Sequence, residues 1–569
     1  MKHSSLKVSE TLFHEERLFM ELIDQKTKRI MEGCKERARD AGLSFLDETL
    51  EYIVSNRDLI ELSPKNMIPT LYDYWVHDVE VLKEKGKYEL YPGNPYETVI
   101  NTRPAISFYN DNNPDWLNVM IFYHVIGHID FFQNNIFFKH TWNYDFNGEA
   151  LSDKRLISRL RSEHGRFVDY VIEFSRSMDN LVGYHQELSD LDRVDCKDLS
   201  KRLNYYFDVF LQQVKSIKVN EYVKEIERYN KCLQENKDHA EHLFFAEIET
   251  KYPEFDALYK KTLEKKDRHI TDVMSYIMEH SDFLNKETNK WMNSVIEVVR
   301  KTSLFFQPQI RTKIMNEGWA SYWHETLFLK DDRIKGHEVD FARVNAGVTS
   351  LPRVGLNPYA LGMRMFYDIE ENSNKGKDLY DFERIHDIDQ RKKYDQKTNK
   401  GKQKIFEVRK NLCDFMFINL FIDQDFMSKH KLFVAGKRMN RQKMVWEYFV
   451  KSKDAGAYRN MILNSLYHPP SIEVDPDKNK GNTLYLVHKF EEKPLVKEFI
   501  SNTMMGIEYL WGGPVQLETS EAIIKPKTKT PQSFQYFFGS QVDEPEKPDV
   551  QWQRVVYTMF NRKLTKKIL

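Results

Sequence analysis

The stretch WLNVMIFYHVIGHIDFFQNN, residues 116–135, has the spacing of a helix and carries two histidines, His124 and His128, four residues apart. On a helix they stand on one face, about 6 Å apart along the axis, a spacing at which two imidazoles can grip one metal ion. The pair alone is a weak signal, because two histidines at this spacing also occur as structural residues. It needs a third ligand from elsewhere in the chain.

KIMNEGWASYWHE, residues 313–325, offers one. It resembles the third-ligand helix of gluzincin metallopeptidases, in which an Asn-Glu-Gly-aromatic-Ala run adds a carboxylate to a metal already held by two histidines. His124, His128 and Glu317 would then form the ligand set of open catalytic zinc sites. The pattern departs from those peptidases at one decisive place. They carry glutamate directly after the first histidine as general base, and here that position is Val125. Another carboxylate must take the role, or peptides are not hydrolysed. Glu163 and Glu173, in RLRSEHGRFVDYVIEF, are the substitutes that helical geometry suggests, with a surface charge and a core ion pair as their plain alternatives. His324 lies seven residues beyond Glu317, about 10.5 Å along a helix, too far to share the ion. It is expected near the ligands or in the substrate cleft. Asp130, Asn134 and Asn316 are expected to orient imidazoles or cap helices. His77 and Arg364 are candidates for lining the cleft.

Outward from these helices, residues 8–62 read as helical, with Leu12, Phe13, Leu18, Phe19, Leu22 and Ile23 at three- and four-residue intervals and LSFLDETLEYIVSNRDLIEL continuing the period. Six prolines between 63 and 115 predict loop with short elements. The charged stretch between about 185 and 290, with segments such as VKEIERYNKCLQENKDHAEHLFFAEIETKY, predicts long amphipathic helices, an arm or insertion. A helix is expected at YALGMRMFYDIEE, after Pro352 and Pro358. Near the C-terminus TLYLVHKFEE reads as a strand, PLVKEFISNTMMGIEYLWG as a helix and PVQLETSEAII as a strand, a small β-α-β module at 480–525. The polar, proline-containing tail is expected to be partly mobile. The fold class is therefore mainly α (α+β): a large helical body with a gluzincin-like metal-site helix pair and a small C-terminal α/β module. The divisions are 1–185, the N-terminal helical part; 186–290, the arm; 291–410, completing the core; and 411–569, C-terminal helices with the module.

A chain of 569 residues is too long for one core, and 41% hydrophobic, 13% aromatic and 30% charged residues are globular in type. Lys+Arg at 85 against Asp+Glu at 86 leave a net charge of −1, so nothing in the global balance attracts nucleic acid or an anionic membrane. The start of the chain lacks the apolar core of a signal peptide, and no apolar run approaches the about 18 residues of a membrane span, which predicts a soluble intracellular protein. Four scattered cysteines suggest neither disulfides nor a thiolate zinc site.

The segments YDYWVHDVE (72–80), HVIGHIDFFQNN (124–135), HGRFVDYVIEFS (164–175), QIRTKIMNEGWASYWH (309–324), GLNPYALGMRMFYDIE (355–370) and LYLVHKFEE with LWGGPVQLET (484–492 and 510–519) resemble successive signature blocks of the SpoVR family, in the family's order. The resemblance implies a cytoplasmic bacterial protein tied to spore cortex formation in spore formers. In other bacteria it implies a stress-associated operon shared with a PrkA-type serine protein kinase. It names a lineage more than a reaction. Two readings follow for the centre: a metal-dependent hydrolase, amidase- or peptidase-like and of unknown substrate, or a non-catalytic regulatory or scaffold protein with a structural metal that partners the kinase. The cofactor is a divalent cation, zinc first, with iron or manganese also compatible with imidazole and carboxylate.

Overall fold

The structure, a computed structural model, describes residues 20–46, 48–55, 97–141, 146–183, 200–215, 219–236, 239–266, 272–332, 335–440, 444–466, 468–490, 493–524 and 550–569. His77, Cys196 and the tail segment 525–549 lie outside them. The chain divides into two compact units, one of residues Met1–Gly183 with Val273–Leu569, the other of Tyr184–Asp272.

The larger unit is organised around two helices buried on all sides. Following α1 (Gln25–Asp40), α2 (Asp115–Asn134) buries every residue from Leu117 to Phe132. Helices of eight residues or more then run α3 (Phe146–His164) and α4 (Phe167–Arg176) within this unit. The smaller unit adds α5 (Val219–Asn236), α6 (Ala240–Lys251) and α7 (Phe255–Lys266). Back in the larger unit come α8 (Val273–His280), α9 (Trp291–Arg311) and α10 (Lys313–Phe328), the last buried continuously from Ile314 to His324. They are followed by α11 (Glu338–Thr349), α12 (Pro358–Asn374), α13 (Gly401–Asn411) and α14 (Asp414–Phe421).

A helix that is apolar all round belongs inside a layer of others, and α10 lies between α2 and α12. Glycines set how closely they approach. A Cβ on Gly127 would sit 2.8 Å from Ala320 Cα, and one on Gly318 would sit 2.4 Å from the backbone of Gly362. Backbones can come this near only where no side chain intervenes. The start of α10 is fixed from outside the helix: Asp414 accepts the backbone N–H groups of Ile314 and Met315 at 2.8 and 2.9 Å, satisfying donors that a helix N-terminus leaves unpaired.

The expected helix through LSFLDETLEYIVSNRDLIEL requires a correction. Thr49–Val54 is a strand, β2, whose burial alternates for most of its length. It pairs antiparallel with β1 (Met20–Leu22) and parallel with β4 (Ala105–Asn110), and β3 (Glu97–Ile100) closes the sheet in the order β1-β2-β4-β3. Tyr, Ile and Val favour a pleated, half-buried surface, and Tyr52 stacks on Phe108 of β4 at 5.7 Å. A short apolar run carries no period long enough to separate the two conformations.

Towards the C-terminus, β5 (Val434–Asn440) and β6 (Val445–Ser452) form a two-stranded ribbon, followed by α15 (Ala455–Ser465). The expected β-α-β unit is present: β8 (Leu484–Lys489), α16 (Lys497–Trp511) and β9 (Val515–Ile524), with β8 and β9 parallel. Its sheet is wider than the sequence suggested, because β7 (Ser471–Val474), β10 (Val550–Phe560) and β11 (Lys563–Ile568) extend it to β11-β10-β9-β8-β7. Residues 550–568 are thus ordered strand rather than mobile tail. Among the described residues the chain is mainly α, with two mixed sheets and a ribbon.

The smaller unit has its own core, in which Tyr206, Phe210, Phe244, Phe245 and Phe255 are buried together. Its compact boundary falls at Asp272, and α8 belongs to the larger unit.

Candidate metal centre

Where α2 crosses α10, three side chains converge. One ligand atom each from His124, His128 and Glu317 lie within 4.8 Å of one another, and all three residues are buried. Glu317 Oε2 is 3.8 Å from His124 Nε2 and 3.5 Å from His128 Nε2. Donors bonded at about 2.1 Å in a tetrahedral arrangement are separated by about 3.4 Å, so the group could hold a metal ion with little movement.

The ring orientations agree with that use. Asn316 Oδ1 lies 2.9 Å from His128 Nδ1. An amide oxygen only accepts, so the proton of His128 sits on Nδ1 and the Nε2 lone pair faces Glu317. On the other imidazole the chain is longer. The amide nitrogen of Asn345 donates to Glu325 Oε2 at 2.7 Å, which turns its oxygen to His324 Nε2 at 2.8 Å. His324 therefore carries its proton on Nε2 and accepts from His124 Nδ1–H at 2.9 Å. His124 is left with its Nε2 lone pair towards Glu317. Burial, the dominant cause, pushes His124 down to about 3 and His324 down to about 4, so both rings are neutral near pH 7, the form in which imidazole ligates metals.

Beside the centre is a cavity of about 510 Å³, lined by His124 and His324 together with Met120, Ile121, Leu356 and Tyr359 among others. The Tyr359 ring stacks on His124 at 6.0 Å. Among the described residues, no aspartate or glutamate lines this cavity. Val125, in the position of the peptidase base, is fully buried.

Several sequence expectations need correction. Glu163 and Glu173 do not reach the centre: both are exposed on α3 and α4, which pack against α9, and they lie beside His164 at 3.9 Å and Arg176 at 3.3 Å. Sequence proximity to a family block carried no information about which face they occupy. Asp130 orients neither imidazole. It accepts from Ser44 N at 2.7 Å and from the Trp319 indole at 2.9 Å, and lies 3.3 Å from Arg409 Nε, tying α2 to α10 and α13. Asn134 donates to the carbonyls of Ser44 and Asp130 at the end of α2. Arg364 donates to the carbonyls of Thr349 and Ala360 and is not among the residues lining the cavity. His324 is placed against the back of a ligand ring, and Asn345 and Glu325 behind it were not foreseen. Nothing in the spacing marks Asn345, since α11 is a separate element from α10, and Glu325, although it follows His324 directly, acts only through Asn345.

The family described as SpoVR like protein matches residues 21–468. Among curated proteins, the chain is similar to the uncharacterized protein YcgB of Escherichia coli (strain K12), 23% identical over 332 residues, which is 56% of this chain. The match spans 58% of that protein, little more than half its length. No solved structure matches the chain.

Proposed function

The chain belongs to the SpoVR family, and from that premise we propose that it is a metal-dependent protein of hydrolase-like chemistry, with His124, His128 and Glu317 holding one divalent cation beside a substrate cavity. The observation that carries this reading is the convergence of two neutral imidazoles, each fixed through its other nitrogen, on one buried carboxylate. The donor set suits zinc first, and iron or manganese as well.

When bound, such a cation supplies a Lewis acid that polarises a carbonyl, as amide hydrolysis requires. The chain's own groups do the rest. His324 and Asn316 hold the ligand rings. Met120, Ile121 and Leu356 exclude water around an acyl portion of the substrate. Proton transfer falls to the Tyr359 phenol of the cavity wall, because both ring nitrogens of His324 are already engaged by His124 and Asn345.

A second reading keeps the metal and drops the catalysis: a cytoplasmic regulatory or scaffold protein working with a PrkA-type serine kinase, in spore cortex formation or a stress response. That no acidic residue among the described residues lines the cavity, with Val125 where a base would stand, favours it. No helix among the described residues is long and apolar enough to cross a membrane.

The deciding experiment is elemental analysis of protein purified without a histidine tag, beside a His124→Ala/His128→Ala variant, followed by assay on amide substrates. One equivalent of metal in the parent and none in the variant is expected. A parent chain that binds neither zinc, iron nor manganese on reconstitution would overturn the reading. Metal without turnover selects the second one.

A further inference from the structure

The ribbon of β5 and β6 pairs Lys437 with Tyr448, Met439 with Trp446 and Ala435 with Val450 in one continuous register, which breaks only between Val434 and Ala435. Side chains alternate across a strand, so these residues share one face. That face is open: Trp446 is 57% exposed, Tyr448 56%, Val450 48% and Met439 40%. The Lys437 ammonium sits over it, 4.6 Å from the Trp446 ring and 6.0 Å from Tyr448. On the opposite face Phe449 and Val445 are also partly exposed, but its groups contact one another. Phe449 folds across Gly436, where a Cβ would meet the ring at 2.4 Å, and Glu447 accepts from Asn440 at 2.6 Å and meets Arg438 at 3.5 Å.

A two-stranded ribbon is marginal by itself, and a contiguous apolar row on it marks an interaction surface. Its charge says what covers it. The chain as a whole is balanced, yet the described residues from 429 to 453 hold six lysines and arginines against one acid; Arg438 matches that acid, Glu447, and Lys429 pairs with Asp368 and Glu371, which leaves Lys431, Lys437, Lys451 and Lys453. Lys431, Lys437, Lys451 and Lys453 are all exposed. A second copy of this face would oppose cations to cations, because a two-fold contact puts the same patch on both sides. Single-stranded nucleic acid would stack on the aromatics but has no use for Met439 and Val450. Tryptophan and tyrosine beside aliphatic residues, with Lys437 over the rings and further exposed lysines on the same ribbon and its flanks, match the boundary between lipid headgroups and acyl chains.

We propose that the β5–β6 ribbon docks this protein peripherally on an anionic lipid bilayer, with Met439, Trp446, Tyr448 and Val450 entering the headgroup boundary and the lysines meeting lipid phosphates. Juxtaposed lysines each strengthen such attachment about fivefold at physiological salt. The attachment requires no spanning segment and is independent of the metal centre.

The test is co-sedimentation of the full chain with vesicles of phosphatidylcholine alone and of phosphatidylcholine with phosphatidylglycerol. Two variants accompany it, Trp446→Ser/Tyr448→Ser and Lys437→Glu/Lys451→Glu, each first verified to keep the parent's circular dichroism and melting midpoint. Pelleting with the anionic vesicles only, weakened by salt, and reduced at least about 25-fold by the charge reversals and clearly by the aromatic replacements, is the expected result. The proposal is overturned if the parent stays in the supernatant, if it pellets equally with both vesicles, or if neither variant changes its pelleting. It is equally overturned if the same substitutions abolish RNA binding, self-association or capture of an acidic protein while vesicles are ignored.

Discussion

His324 Nδ1 lies 2.9 Å from His124 Nδ1, on the edge of the ring opposite the one that meets Glu317. The contact fixes both the tautomer and the orientation of His124 through a residue that need not itself touch the cation. Replacing an orienting partner of a ligand histidine typically weakens metal binding by about 10–100-fold. His324→Ala is therefore expected to lower metal affinity by that factor in competition with a chelating dye, without abolishing binding. His324→Gln, whose amide oxygen can still accept from Nδ1–H, should recover part of the loss. Equal affinity in the parent and His324→Ala would remove the orienting role.

Gly318 and Gly362 meet where α10 crosses α12, and the nearest atoms to an added Cβ are backbone, which cannot rotate away. Gly318→Ala should destabilise the larger unit by about 3 kcal/mol, at the upper end of overpacking costs, and should weaken metal binding because Glu317 is the adjacent residue. Gly347→Ala is the control. This glycine lies within α11 with nothing within 4 Å of the added Cβ, so alanine should stabilise by about 0.5–1 kcal/mol. Urea titrations of the two variants should move in opposite directions.

These relationships explain what was legible in advance. The histidine pair and the Asn-Glu-Gly run could be found because each is local: orienting amide, ligand and crossing glycine are consecutive at 316, 317 and 318. The distance argument about His324 was sound for a shared ion yet left its place open, since two helices running antiparallel pair 128 with 316 and 124 with 324. That register exists only once α2 and α10 are packed. Glu163 and Glu173 were unreadable for the same reason, because their faces are set by contact with α9. The strand Thr49–Val54 was too short for its alternation to outweigh the helical spacing around it.

Asp414 supplies a pH dependence. Burial pushes its carboxyl up to about 7, opposed by the N–H groups of Ile314 and Met315. Its folded value lies above the ordinary 3.8, so between these two values the native state keeps a proton that the unfolded chain releases, and stability falls as pH rises. Relative to Asp414→Asn, which cannot titrate, the parent should lose up to about 1.4 kcal/mol per pH unit from about pH 4 to about pH 7 and stay level above that. Denaturant midpoints at pH 4.5, 6 and 7.5 measure the difference. A constant gap between the two proteins across this range would refute the assignment.

Metal removal should act on one unit of the chain and not the other. His124, His128 and Glu317 all belong to the larger unit, whereas Tyr184–Asp272 closes its own aromatic core around Tyr206 and Phe255. A ligand that binds only the folded state stabilises it by RT ln(1 + [L]/Kd), about 2.7 kcal/mol at a hundredfold excess over Kd. Calorimetry of the zinc-loaded chain should therefore resolve a transition that falls on adding chelator and one that does not move. The transition of the His124→Ala/His128→Ala variant should be indifferent to both zinc and chelator. If chelator left every transition of the parent in place, the convergence of two imidazoles on a carboxylate would be a polar contact between helices and not a metal site.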